Sequence, residues 1–344
     1  MVLRNTWSRA AIVLALLGAA IVMLWWRGPE WGLVADAFRL VEWTWIFAAI
    51  GLNLLSVVAR ALAWRTVVNE ALREHSPPFE RIFSAFGIGL LANAVLPART
   101  GELARVAVLT RRLPRGRGYT ATLLGTVFTH RLFDVIPAML LVVYVLLTAK
   151  IPHWALTSIA IAAAIGGILL VVALITSRMR KPVVDELSRL RRLLAMARVG
   201  LDVLRSPARV ALAIFFQCLG WLFQLLAVWV AMRAFDIDAP LPAAGLVLVL
   251  MNIATIFPLW PGNIGLLQAA IALPLVSYGV AYTTGFAYGL GLQIVEMSVG
   301  VGVGIVFLAR EGISFATLRR MPDQAGEPQL RVVTEEEPAR ARSA

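Results

Sequence analysis

Residues 83–102 read FSAFGIGLLANAVLPARTGE, and residues 257–265, inside a longer apolar run that starts at Pro242, read FPLWPGNIG. The first stretch runs 14 residues from Phe83 to Leu96, apolar or small but for Asn93, then breaks at Pro97. That is short for a bilayer core of about 30 Å, which takes about 20 helical residues. The second, Pro242–Val280, is long enough to enter and leave, but Pro258, Pro261, Gly262 and Gly265 interrupt it. Proline has no N–H to give to a helix, and unpaired backbone at membrane depth is tolerated only inside protein or beside a wet cavity. Broken apolar segments at matching places in two halves of opposite topology mark the site of an inverted-repeat transporter. The expected fold is therefore an all-α polytopic membrane protein, with six to eight transmembrane helices and two opposed re-entrant hairpins. The competing reading is a pair of ordinary kinked hairpins with no cavity between them.

Working outward, uninterrupted spans are expected at Ala10–Trp26, Trp43–Trp64, Tyr119–Thr148, Trp154–Thr176, Val210–Met232 and Tyr282–Ala309. Composition agrees: 60% of the 344 residues are hydrophobic, 15% are charged, and mean hydropathy is +0.79. A soluble chain carries about a quarter charged residues. The formal net charge of +12 rests almost wholly on arginine, since Lys150 and Lys181 are the only lysines. The arginines set the orientation by the positive-inside rule. Arg4 and Arg9 keep the N-terminus in the cytoplasm and make the first span a retained signal anchor. The acidic segment Arg27–Glu42 falls outside, Arg65–Arg81 inside, and the basic stretches Arg99–Arg117 and Arg178–Arg209 inside. Both termini then lie in the cytoplasm of a cell with this chain in its inner (plasma) membrane. Residues 1–310 form one integral membrane domain and 311–344 a cytoplasmic tail, largely disordered because it is rich in Pro, Glu and Arg. Within the domain, residues 180–206 read as a cytoplasmic amphipathic helix, with Leu187, Leu190, Leu194, Ala197, Leu201 and Leu204 on one face and arginines on the other.

The residues that can carry function sit at the breaks and in mid-span. After Pro97, Thr100 or Gly101 starts a short helix whose free N–H groups and positive dipole end face the break, a place for phosphate or carboxylate. Arg99 stands beside it, Arg105 follows, and Glu102, one turn before Arg105, can pair with it. Arg111, Arg112, Arg115 and Arg117 are read as headgroup-level arginines with no further role. His130, Arg131 and Asp134 lie inside the span Tyr119–Thr148, with Arg131 and Asp134 three apart on one face. Ionisable residues at that depth mark a pathway, or an ion pair that locks two helices. Glu296, with Gln293 one turn earlier, lies mid-span as well. It is either paired, with Arg60 or Arg131 as candidates, or a proton carrier. No His/Cys cluster has metal spacing, Cys218 stands alone, and no nucleotide loop or nucleophile–base pair is visible, so neither a cofactor nor an enzymatic activity is expected.

The segments Arg60–Arg65 (RALAWR), Asn93 with Leu96–Glu102 and Arg105, His130–Arg131 with Asp134, and Pro261-Gly262-Asn263-Ile264-Gly265 with Gln268 resemble the lysylphosphatidylglycerol synthase transmembrane region family. That family includes the flippase half of multiple peptide resistance factor proteins. The resemblance covers about residues 45–310 and implies a lipid-translocating fold with two opposed re-entrant hairpins. It also implies that Asn93, Arg60, Pro261, Gly262, Asn263 and Gln268 belong with Arg99–Arg105 at the substrate site. Synthase members carry a large soluble aminoacyl-transfer domain after the membrane part, so a chain without one is expected not to aminoacylate lipid. The family often has glutamate where Gln268 stands, and often arginine near Gln293, so this chain's second half carries less charge. The substrates expected are an anionic phospholipid, an aminoacylated phospholipid or a polyprenyl-phosphate-linked glycolipid. His130, Arg131, Asp134, Gln293 and Glu296 would line or gate the path. The alternative is a non-transporting membrane partner of a glycosyltransferase or lipid-modifying enzyme. Expected partners are membrane lipids, a second copy of the chain or a membrane enzyme, with no part for nucleic acid.

Overall fold

The computed structural model describes residues 18, 30–96, 100–114, 119–178, 206–256 and 263–318. Among these residues the chain is all helix, with no strand. Helices α1 (Trp31–Arg39), α2 (Trp43–Ala71), α3 (Phe79–Val95), α4 (Gly101–Thr110), α5 (Tyr119–Thr148) and α6 (His153–Arg178) make up the first part. They are followed by α7 (Pro207–Ala234), α8 (Leu241–Ala254), α9 (Leu266–Val276) and α10 (Tyr282–Arg310). Four of them, α2, α5, α7 and α10, are long and apolar enough to cross a membrane. The apolar part of α6 is shorter, His153–Ile168. The expected span Ala10–Trp26, the amphipathic segment 180–206 and the tail from residue 319 lie outside the described residues. Residues 311–318, read as the start of the tail, fold back, and Leu318 is fully buried in a core cluster with Leu109 and Leu308.

The order long helix, two short helices, long helix occurs twice, as α2–α3–α4–α5 and α7–α8–α9–α10. The two leading helices, α2 and α7, form the most extensive helix pair. They cross where the Ser56 hydroxyl donates to the Gly220 carbonyl at 2.7 Å. A Cβ on Gly220 would sit 2.8 Å from Cγ of Arg60, so a glycine there sets the closeness of the crossing.

Contacts at the two ends fix where each short pair begins and returns. The start of α3, the end of α4 and the end of α10 meet. Glu80 pairs with Arg310 at 2.7 Å, and Glu311 accepts from Ser84 at 3.0 Å and from Nε of Arg112 at 2.8 Å. At the other end, the Lys150 amide donates to the Tyr278 hydroxyl at 2.7 Å and the Glu42 amide to the Ala234 carbonyl at 3.1 Å. There the end of α5 and the start of α2 meet the end of α7, from which α8 departs, and the link that leaves α9. Helices α3 and α4 lie back against each other, and a Cβ on Gly89 would lie 2.9 Å from the Gly101 carbonyl oxygen. Between α8 and α9 the reversal ends on Asn263 and Gly265, both left-handed at φ 46° and 92°, a conformation open to Gly and tolerated by Asn.

Two boundaries differ from the sequence reading. Helix α2 continues past Trp64 to Ala71, because the buried Glu70 is held by Arg73 and, at 2.7 Å, by Arg209. Helix α3 starts at Phe79, earlier than Phe83. Pro78 precedes its first residue, and Phe79 packs on Phe83 at 5.5 Å between ring centroids.

Candidate functional site

The polar residues of the long helices lie near their midpoints and join into one chain across five helices. It starts on α4, where Arg105 is only 3% exposed. Its guanidinium lies 4.7 Å from the Trp64 ring centroid and 5.5 Å from that of Phe86. It pairs with Glu102 one turn back. The other oxygen of Glu102 takes Arg131 of α5, so a single carboxylate holds Arg105 within the short helix and ties that helix to the long one through Arg131. Arg131 also reaches Asp134 at 3.1 Å. Asp134 accepts in addition from Nε2 of Gln217 and the Trp221 indole, both on α7 and both at 2.9 Å. The Arg60 guanidinium of α2 lies 5.4 Å from the Trp221 ring centroid and donates to Gln224 of α7. Gln224 in turn donates to Glu296 of α10 at 3.1 Å. The chain of contacts is thus Arg105, Glu102, Arg131, Asp134, Trp221, Arg60, Gln224, Glu296. Three guanidinium groups face three carboxylates in it, with Arg105 buried and Arg131 half exposed.

The second short pair is joined to its long helix by amides instead. Nε2 of Gln268 on α9 donates to Gln293 of α10 at 2.6 Å, and its carbonyl accepts from the Gly265 amide at 2.6 Å. Asn263 donates to the Ala254 carbonyl at 3.1 Å, closing the reversal onto the end of α8. On the first pair Asn93 does the same work: its carbonyl accepts from the Gly101 amide at 2.9 Å. One of the helix-start N–H groups expected to face an anion is therefore engaged within the protein. Thr100 precedes that helix, and its hydroxyl, though buried, has no hydrogen-bond partner among the described residues.

Measured against the sequence reading, the structure brings together Arg60, Glu102, Arg105, Arg131, Asp134 and Glu296. It seals Arg105 between two rings and a carboxylate, where it holds α4 in place. His130 is buried edge-on to Phe86 at 6.1 Å between centroids, a packing position. Arg99, Pro261 and Gly262 lie outside the described residues. Glu296 meets Gln224 and neither of the arginines named as candidates. Gln217, Trp221 and Gln224 were missed in the sequence reading. Their spacing of four and three residues puts all of them on one face of α7, and an amide–indole–amide stripe in an apolar span is a legible signal. Among the described residues no group of His, Cys, Asp or Glu could hold a metal ion.

This is a membrane-embedded bundle with a polar chain near the midpoints of its long helices and two pairs of short helices. It matches the lysylphosphatidylglycerol synthase TM region family over residues 11–304. The chain belongs to this family. The family is a membrane domain associated with lipid flippase-like function, and the multi-pass membrane topology of this member follows from the match together with its four apolar helices. No curated protein and no solved structure gives a significant match.

Proposed function

We propose that the chain is a lipid translocase, moving a phosphate-bearing lipid between the leaflets of the inner membrane by way of the polar chain between its two halves. The lipid is an anionic or aminoacylated phospholipid or a polyprenyl-phosphate-linked glycolipid. The observation that carries the reading is Arg131. It stands near the middle of a 30-residue apolar helix, yet its side chain is 53% exposed. A charge at mid-depth is costly unless it faces water or a polar guest. Nη1 donates to Asp134 and Nη2 to Glu102, and the second N–H of each terminal nitrogen, on a side chain this exposed, is what a phosphodiester oxygen would meet. Arg60 and, at the first break, Arg99 would extend the same path. On this reading the two short pairs are re-entrant hairpins entering from opposite leaflets as an inverted repeat, with the arginine-rich end in the cytoplasm. Asn93, Thr100 and Gly101 on one side and Asn263, Gly265 and Gln268 on the other would form their tips.

Purified protein reconstituted into liposomes tests this, with headgroup-tagged phosphatidylglycerol, aminoacylated phosphatidylglycerol and phosphatidylcholine followed across the bilayer by chemical quenching. Wild type is expected to speed at least one phosphate-bearing lipid well above protein-free vesicles, and Arg131→Gln to lose most of that rate. A wild type no faster than empty vesicles with any of the lipids would sink the proposal. It would also favour a non-transporting partner of an envelope enzyme.

A further inference from the structure

We propose a second anion-binding site, outside the polar chain, at the mouth of the first short helix pair. A cavity of about 480 Å³ lies between the end of α2 and the meeting ends of α3 and α4. Its rim carries His75, Arg81, Arg111 and Arg112 around the Pro77–Pro78 segment. No carboxylate lines it among the described residues. Three nearby carboxylates among the described side chains are already engaged: Glu70 by Arg73 and Arg209, Glu80 by Arg310, and Glu311 by Arg112 and Ser84. Of the three arginines, only Arg112 has an ion pair among the described residues, so Arg81 and Arg111 leave two positive charges uncompensated in a concave site. Two prolines stiffen one wall and the buried Leu113 anchors the other, so the cavity does not depend on a free loop.

Two unpaired forks beside an imidazole suit phosphate, which offers oxygens to several donors at once. The volume is on the scale of a small-molecule site, about 300 to 1,000 Å³. It exceeds a bare ion and fits a phosphodiester with its attached polar group. The sources of such a phosphate are a lipid headgroup of the adjoining leaflet and a soluble polyanion. The inference rests on the translocase reading only for the lipid source, where the cavity would receive the headgroup before it moves to mid-depth.

Full-length protein in nanodiscs supplies the test in two arms. In the first, phosphatidylcholine discs are titrated with inorganic pyrophosphate. In the second, discs doped with phosphatidylglycerol are read by native mass spectrometry for retained lipid. Arg81→Gln with Arg111→Gln is expected to weaken binding by about tenfold or more. Arg73→Gln with Arg310→Gln removes the same charge from paired positions at the same end and should leave binding near wild type. Loss in both arms supports a general phosphate site, loss in the lipid arm alone a headgroup site, and loss in the pyrophosphate arm alone a soluble ligand. No binding by wild type in either arm, no loss in the variant, or equal loss in the control pair would overturn the site. A second measurement needs no variant: both probes should protect Arg81 and Arg111 of wild type from phenylglyoxal more than Arg73 and Arg310, and equal protection contradicts the assignment. A protein that moves no lipid yet binds here leaves this site standing, whereas normal transport without binding here removes it alone.

Discussion

The two short helix pairs occupy matching places in the chain and are tied to their long helices by different chemistry. Helix α4 is held to α5 by Glu102, shared between Arg105 and Arg131. Helix α9 is held to α10 by Gln268 and Gln293, two neutral amides. Both solutions place a polar contact between a short and a long helix near mid-depth, but they differ in what happens when one partner is lost. A buried ion pair stripped of one member leaves an uncompensated charge, whereas a broken amide pair leaves only an unmet hydrogen bond. The first half therefore combines the largest local cost of failure with the charge that a phosphate can use. The second half closes with less at stake.

This difference can be broken by substitution. Glu102→Gln strands the sealed Arg105 and leaves Arg131 with Asp134 alone, and is expected to cost about 3 to 5 kcal/mol. Thermal unfolding of the purified protein in detergent measures it, and a loss no greater than that of the amide variant would erase the proposed contrast. Gln268→Leu removes the acceptor for the Gly265 amide as well as the bond to Gln293, and should cost about 1 to 3 kcal/mol. A loss below that range would mean that the reversal holds without its side-chain cap.

Much of this was legible in the sequence, because the breaks are written in Pro and Gly and the spans in long apolar runs. The i,i+3 pairs Glu102–Arg105 and Arg131–Asp134 follow from helical spacing alone. The bridge from Glu102 to Arg131 does not: the two are 29 residues apart and meet only because α4 folds back onto α5. Glu296 illustrates the same limit. Arginine is the natural partner to name for a mid-span carboxylate, yet the pairing of α2 with α7 interposes Gln224 between Arg60 and Glu296. Arg105 illustrates it again, since nothing in its spacing tells that Trp64 and Phe86 close over it.

A sharper form of the comparison converts one half toward the other. Gln268→Glu alone places an unpaired carboxylate beside Gln293 and should destabilise the protein. Adding Gln293→Arg should recover part of the loss, a positive coupling of about 1 kcal/mol or more in a double-mutant cycle. Zero coupling would show that the two halves are not equivalent at this contact. The smallest effect is expected at the bundle end, where Glu80→Gln breaks the exposed pair with Arg310 and should change stability by less than about 1 kcal/mol. A larger loss there would mean that the end contacts, rather than the close packing of Gly87 and Leu91 on Val303 and Gly304, hold α3 to α10.

The central claim is that a lipid headgroup visits Arg131 at membrane depth, and photo-crosslinking reads this directly. Phe128 lies one turn before Arg131 on α5 and is 47% exposed, and Phe215 on α7 is 58% exposed. Each precedes the midpoint of its helix by the same number of residues, and both helices start at the arginine-rich end, so the two positions are matched in depth. A benzophenone amino acid placed at each, in turn, is offered phosphatidylglycerol tagged on either the headgroup or the acyl chain. The account predicts that position 128 captures both tags and position 215 only the acyl-chain tag. Capture of the acyl-chain tag alone at position 128, or of the headgroup equally at both positions, would contradict it.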